Sequence, residues 1–292
     1  MKWLQISFEI KNHKVDFVSE VLIGLGSVSI NYFDAKNDAI YEPAVGETPL
    51  WPNVILTALF PSDVNKDFVK SSIFDICNVD ILTSSNLKER DWLDECKKDF
   101  HSMQFGQNLW VCPSWDSKTI IPDNAIIIHM DPGLAFGTGS HQTTNLCLEY
   151  LETYPPINKV VVDYGCGTGI LAIAAAKLGA SSVLAIDNDP QAVIACKENS
   201  LINKCEVKIK TFHSSYQVEI KQCDLLIANI LTNTLIELAP KFAALLKTDG
   251  SLILSGILKE QVEKVISCYS EYFLDLEVSH LDEWFRIVAR RQ

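Results

Sequence analysis

The chain has 292 residues, 48% of them hydrophobic, 9% aromatic and 21% charged. That length implies about two domains with a core that needs no disulfides, and the composition excludes a disordered, collagen-like or coiled-coil chain. Twenty-five Lys and Arg against 37 Asp and Glu leave a formal charge of −12, which disfavours a nucleic-acid partner because phosphate binding draws on Lys and Arg, and permits attraction to a basic protein.

In chain order, Lys2 to Ile10 alternates Trp3, Gln5, Ile6, Phe8 and Ile10 and reads as a half-buried strand, not a signal peptide. Val15 to Leu25 predicts a helix with Phe17, Val18, Val21, Leu22 and Leu25 on one stripe, stopped near Gly26. Strands follow over Val28 to Phe33 and Asn53 to Leu59. The proline-rich stretch Tyr41 to Pro52 between them is a loop. A helix over Val64 to Cys77 and a strand over Val79 to Leu82 complete a βαββαβ order, which suits a small ferredoxin-like α+β domain over residues 1–88. The charged stretch from Glu89 to His101 predicts a helix, either connecting two domains over residues 89–102 or lying at the periphery of the first.

From residue 103 to 292 strands and helices alternate. Strands are expected over Ile126 to Met130, Val160 to Asp163, Ser182 to Asp187, Val207 to Phe212, Leu225 to Ile230 and Ser251 to Ile257. Helices are expected over Thr144 to Leu151, Ile170 to Leu178, Pro190 to Ile202, Thr232 to Leu246 and Glu260 to Tyr272. Two adjacent strands, Phe273 to Val278 and Trp284 to Ala289, close the chain and insert one antiparallel strand. The fold class is α/β, a Rossmann-like doubly wound sheet beside the small N-terminal domain. No apolar run approaches the ~18 residues of a membrane span. Nine cysteines, with no C-x-x-C pair among them, read as reduced thiols of a cytoplasmic protein, and no metal site is supported.

The strand Val160 to Asp163 runs into Tyr164-Gly165-Cys166-Gly167-Thr168-Gly169 and then a helix. Glycines serve where backbone must take positive φ and lie against a ligand. Gly167-x-Gly169-x-x-Ala172 formally fits a dinucleotide fingerprint. An acid at Asp163 suits a ligand carrying positive charge better than a pyrophosphate, and favours S-adenosyl-L-methionine over a nicotinamide dinucleotide. Asp187, 22 residues after Gly165, is placed to accept from ribose hydroxyls, which both cofactors carry. Asn229 lies near the end of another strand, with its side-chain carbonyl toward the crevice or capping the next helix. The segment Asp131 to Thr144 is dense in glycine and hydroxyl residues. It reads as a loop folding over a ligand with Phe136 and His141, or as a surface loop capping a helix through Ser140. His141 is either a general base or a structural residue.

The segments DPGLAFGTGSHQTT, VVDYGCGTGILAIAAAKLGA, AIDNDPQA, ANIL and LSGIL, in this order, resemble the bacterial methyltransferases that modify large-subunit ribosomal protein eleven. The resemblance spans nearly the whole chain, and DPGLAFGTG is its most specific part. It implies a class I S-adenosylmethionine-dependent enzyme that methylates lysine side chains and the N-terminal α-amine of a basic ribosomal protein. The family's binding positions match Thr144, Gly165, Asp187 and Asn229. Gln142 stands where a Pro is common and Asn188 where an Ile is common; neither removes a functional group. Expected cofactor contacts are thus Phe136, Gly137, Thr144, Asp163, Gly165, Cys166, Gly167, Gly169, Asp187, Asn188 and Asn229.

Four residues are expected to act in transfer. The Asn229 side chain and the Ile230 backbone carbonyl accept amine hydrogens, while Thr138 and His141 close over the donor. No dedicated base is evident. A nucleic-acid amino-methyltransferase would carry an Asn/Asp-Pro-Pro-aromatic run at Asn229, and Ile230, Leu231 and Thr232 supply neither proline nor ring. A monomer without membrane or nucleic-acid contacts is expected. Residues 1–102 hold 10 basic and 16 acidic side chains, so a third of the chain carries half of the net charge. A substrate-recognition role for the first domain would match that acidity to a basic partner. Arg286, Arg290 and Arg291 run against the trend and have no assigned use.

Overall fold

The computed structural model describes residues 2–36, 48–77, 79, 81–88, 100–131, 139–215 and 222–292. The chain divides into two compact units, Met1–Glu95 and Cys96–Gln292. The connecting helix expected over 89–102 lies outside the described residues except for Phe100 to Ser102, which are not helical.

The first unit contains β1 (Lys2–Lys11), α1 (Val15–Gly24), β2 (Ser29–Asp34), β3 (Asn53–Pro61), α2 (Lys66–Cys77) and β4 (Ile81–Lys88). The sheet order is β2-β3-β1-β4, with every neighbouring pair antiparallel. Two β-α-β units interleave, which is the ferredoxin-like arrangement. Successive strand residues point to opposite faces, so Leu4, Ile6, Phe8 and Ile10 share one buried face with Val54, Leu56, Ala58 and Phe60. Trp3 belongs to the other face, one residue out of phase with the sequence reading. On α1 the buried positions are Val15, Val18, Ser19 and Leu22. Phe17, expected on this stripe, is 55% exposed, because 100° per residue turns it away from the face that Val18 occupies. Gly26, at φ +91°, ends the helix through N–H contacts to the carbonyl of Ile23.

The second unit opens with two short strands that alternation did not reveal, β5 (Met103–Phe105) and β6 (Leu109–Cys112). They form a three-stranded sheet with β7 (Ile126–His129), in the order β5-β6-β7. There follow α3 (Gln142–Thr153), β8 (Val160–Tyr164), α4 (Ile170–Lys177), β9 (Ser182–Asp187), α5 (Pro190–Ile202) and β10 (Ile209–His213). The chain ends with β11 (Cys223–Asn229), α6 (Thr232–Leu245), β12 (Leu246–Leu258), α7 (Val262–Tyr269), β13 (Phe273–Leu281) and β14 (Trp284–Arg291). The seven-stranded order is β10-β9-β8-β11-β12-β14-β13. Strands β8 to β12 pair in parallel, and β14 is antiparallel to both of its neighbours.

Both faces of this sheet are covered, so its strands read as continuous apolar runs. Val161, Leu225, Ile227 and Ile253 pack on one side with Ile173 and Leu148. Val162, Leu226, Leu252 and Leu254 pack on the other with Leu235 and Phe242. The order reverses between β8 and β11, and at such a switch point a crevice opens beyond the carboxyl ends of the strands.

The phase of α1 is open to test. Leu22→Ala is expected to cost about 2–5 kcal/mol, and Phe17→Ala less than about 0.5 kcal/mol, in urea unfolding followed by circular dichroism. Equal losses would place Phe17 in the core.

Candidate active site

The turn after β8 takes positive φ at all three glycines: +81° at Gly165, +52° at Gly167 and +82° at Gly169. It is laced to β9, since the N–H groups of Gly165 and Cys166 both donate to the Ile186 carbonyl, at 2.7 and 3.0 Å. A Cβ on Gly165 would stand 2.2 Å from Cγ2 of Ile230. Glycine here lets the end of β11 close against the turn. At Gly169 the Cβ would stand 2.5 Å from Cys196 Sγ, so this third glycine serves the approach of α4 to α5 rather than the cavity wall.

Asp187 ends β9 and points back to the turn. Its Oδ2 accepts from the Gly167 N–H at 2.8 Å and its Oδ1 from the Asp189 N–H at 3.0 Å. A carboxylate has about four lone-pair sites, so acceptor capacity remains. Asn229 ends β11, and its Nδ2 donates to Thr144 Oγ1 at 3.3 Å, which leaves Oδ1 as the amide's remaining acceptor. It does not cap the next helix, where Leu231 occupies the N-cap position without a side-chain bond.

These elements enclose a cavity of about 200 Å³ whose wall includes Thr144, Gly165, Gly167, Asp187 and Asn229, together with Cys166, Asn188 and Ile230. An adjoining cavity of about 340 Å³ shares Gly165, Asp187, Asn188 and Ile230, and adds Tyr164, Ser214 and Thr234. Together they have the size expected of a small-molecule site, roughly 300–1,000 Å³. The sequence reading passed over Tyr164, Ser214 and Thr234. The place of Ser214, just past the carboxyl end of β10, is the signal that could have found it. A groove of about 700 Å³ between α5 and β10 contains none of the motif glycines or acids except through their neighbours Pro190 and His213.

Phe136, Gly137 and Thr138 lie outside the described residues. His141 is the N-cap of α3: its Nδ1 accepts from the Thr143 N–H and lies 2.8 Å from Thr143 Oγ1. Its ring meets Trp284 edge-on at 5.0 Å, and burial lowers its pKa against the opposing pull of Glu283. It rather than Ser140 caps the helix. Asp163 is fully buried behind the turn and is absent from the cavity wall. Its Oδ2 accepts from the Ala172 N–H at 3.0 Å, holding the first turn of α4.

The preference for a cationic ligand therefore rests on other features. Among the described residues that line the two cavities there is no Lys, Arg or His, the side chains that commonly meet a pyrophosphate. The wall instead offers the Asp187 carboxylate and the Asn229 amide oxygen. Behind it, Asp163 Oδ1 is a buried acceptor without a hydrogen-bond partner. Backbone closeness at Gly165, an acid for hydroxyl groups and net negative character fit a nucleoside that carries positive charge.

Burial, opposed by the Ala172 N–H and aided by the charge of Asp187, pushes the Asp163 carboxyl up to about 7. Its folded-state pKa lies above that of the unfolded chain. Its contribution to stability is therefore full below about pH 4 and lost as pH rises through 7. Asp163→Asn stays neutral throughout. Relative to the unmodified protein, the variant should gain stability between about pH 4 and 8, by a few kcal/mol at most. Melting temperatures of both proteins across that range check this; a difference that does not change with pH would mean that the carboxyl ionises freely.

Comparison with known proteins places this geometry in a lineage. Residues 2–292 match the family described as ribosomal protein L11 methyltransferase (PrmA). The chain is 43% identical over 296 residues to the ribosomal protein L11 methyltransferase of Shewanella sediminis, covering 100% of both chains. It is 40% identical over 293 residues to the protein of the same name from Haemophilus influenzae, covering 99% of each. Among solved structures, the ribosomal protein L11 methylase of Lactobacillus delbrueckii subsp. bulgaricus is 34% identical, with a TM-score of 0.61 over 66% of this chain and 100% of that one. With the full-length match and these relatives, the chain belongs to the ribosomal protein L11 methyltransferase family.

Proposed function

We propose that this protein transfers methyl groups from S-adenosyl-L-methionine to amines of ribosomal protein L11, both lysine side chains and the N-terminal α-amine. The observation that carries this reading is the meeting of Gly165, Asp187, Asn229 and Thr144 in one cavity, in a chain of this family. When bound, the cofactor supplies an electrophilic methyl group on a sulfonium. Asp187 would hold the ribose hydroxyls. Gly165 and Gly167 would allow close backbone contact, and Asn188 and Ser214 would border the base.

The acceptor amine must reach the site unprotonated, and a free lysine has a pKa of about 10.4. Exclusion of water disfavours the ammonium form. Asn229 Oδ1 and the Ile230 carbonyl are the acceptors that would receive the amine's remaining hydrogens and aim its lone pair. With His141 committed as a helix cap, solvent is the proton's destination. In this reading catalysis is mostly positioning, with reacting atoms held about 3–3.5 Å apart.

Residues 1–88 are proposed as the substrate-recognition domain, 89–102 as the connection and 103–292 as the catalytic domain. The excess of acidic side chains in the first third of the chain supports attraction to a basic protein. Among the described residues no helix is long and apolar enough to cross a membrane. A cytoplasmic monomer without direct nucleic-acid contact completes the proposal.

Mass spectrometry of purified L11 after incubation with enzyme and cofactor tests the reading. Mass gains in steps of one methyl, mapped to lysines or the N-terminus, are expected; an unmodified L11 alongside a methylated nucleic acid would overturn it. Asp187→Ala should weaken cofactor binding by roughly 10–100-fold, the loss expected for charge-assisted hydrogen bonds. Calorimetry showing unchanged affinity would remove it from the ribose site. Asn229→Ala should lower single-turnover rate more than cofactor affinity, and an unaltered rate would remove Asn229 from the transfer step.

A further inference from the structure

The Leu254 to Leu258 segment of β12 carries no reactive group, yet two of its residues tie together both walls of the cavity. Gly256 has φ +87°. Pairing with β14 passes from Ser255 opposite Arg286 to Ile257 opposite Phe285, so Gly256 is the extra residue of a β-bulge. β12 lies inside the sheet, between β11 and β14. Bulges gather at sheet edges and beside active sites, where they re-aim groups, and this one is not at an edge.

A Cβ on Gly256 would stand 2.3 Å from the carbonyl oxygen of Ile230 and 3.0 Å from its carbon. Both are backbone atoms that cannot swing aside. The Ile230 N–H donates to the Ser255 carbonyl at 3.2 Å. Thus both polar groups of Ile230 are set by this dipeptide. The fully buried Ser255 hydroxyl donates to the Thr143 carbonyl at 3.1 Å. Thr143 precedes Thr144, which receives the Asn229 amide. Contacts therefore run in a closed circuit from Ser255 through α3 to Asn229, then through Ile230 back to Ser255 and Gly256. Thr232, the first residue of α6, lies with its hydroxyl 3.4 Å from the Gly256 carbonyl and 2.7 Å from Gln261 Oε1.

We propose that Ser255 and Gly256 are positioning residues for the methyl transfer: the bulge directs the Ile230 carbonyl, and the serine hydroxyl holds Thr144 and Asn229 in register with it. Neither residue touches the substrate. The inference rests on the acceptor role given above to Asn229 and Ile230.

The test uses the full chain with three variants, Gly256→Ala, Ser255→Ala and Asn229→Ala. Cofactor affinity is measured by calorimetry and single-turnover methylation of L11 at saturating cofactor. Gly256→Ala displaces the carbonyl, and a misplacement near 1 Å lowers rate by roughly 10²-fold. Ser255→Ala, which adds no backbone strain, should lower it roughly 5–10-fold; it keeps the test decisive if Gly256→Ala does not yield folded protein. In both, the rate should fall by clearly more than the cofactor affinity. Rate and affinity falling in parallel would mean a merely structural role and overturn the proposal. A normal rate in both, with a reduced rate in Asn229→Ala, overturns this inference alone. A normal rate in Asn229→Ala overturns the acceptor reading and this inference with it.

Discussion

Ile230 occupies space that two glycines leave empty. Its Cγ2 lies 2.2 Å from where a Cβ of Gly165 would stand, and its carbonyl oxygen 2.3 Å from where a Cβ of Gly256 would stand. The first glycine belongs to the turn after β8 and the second to the bulge in β12, on either side of β11. This double close approach brings the carboxyl ends of three neighbouring parallel strands together at one residue. The cavity walls meet there, and Ile230 borders both of its halves. A side chain at either glycine would push the end of β11 away. Both glycines also hold φ near +80 to +90°, where an L-residue is strained.

Polar side chains around this point tie the strand ends to neighbouring backbone. Asp163 spends one carboxylate oxygen on the first turn of α4, Asp187 spans the turn and its own loop, and Ser255 reaches α3. The Ala172 N–H is buried in the first turn of its helix, where no preceding helical carbonyl can receive it, and leaving it unpaired would cost about 1–3 kcal/mol. The terminal arginines, whose positive charge opposes the acidity of the chain, belong to the same scaffold. Arg286 donates to the Leu146 carbonyl of α3 and lies over the Tyr150 ring. Arg291 donates to the carbonyls of Ala243 and Tyr272. Arg290 pairs on the surface with Asp249 and Asp275. They bind the chain's own carbonyls and carboxylates.

Much of this was legible in the residues. Alternation of apolar runs with helical stretches, the glycine turn after Val160 to Asp163 and the acid 22 residues after Gly165 are local patterns, and local patterns survive folding. They place Gly165, Gly167, Asp187 and Asn229 on strand ends of a doubly wound sheet, and the switch-point rule brings strand ends to one crevice. The strands β5 and β6 escaped notice because three and four residues are too few to show a period. Phe17 reads as part of the buried stripe of α1 because it adjoins it in sequence; only packing against the sheet selects which 100° sector is buried.

Asp163 marks the division most sharply. By itself the sequence determined that an acid ends the strand before the glycine turn, and its resemblance to a family implied methyl transfer. Only the tertiary structure decided what the acid does, placing it behind the wall with one oxygen on Ala172 and the other unpaired. The same holds for Gly256 and Ser255, whose contacts to Ile230 and Thr143 span 26 and 112 residues of chain. Spacing along a chain encodes the turn a residue makes. Which distant backbone atom fills the space beside it is set only when strands from separate parts of the sequence pack within van der Waals distance.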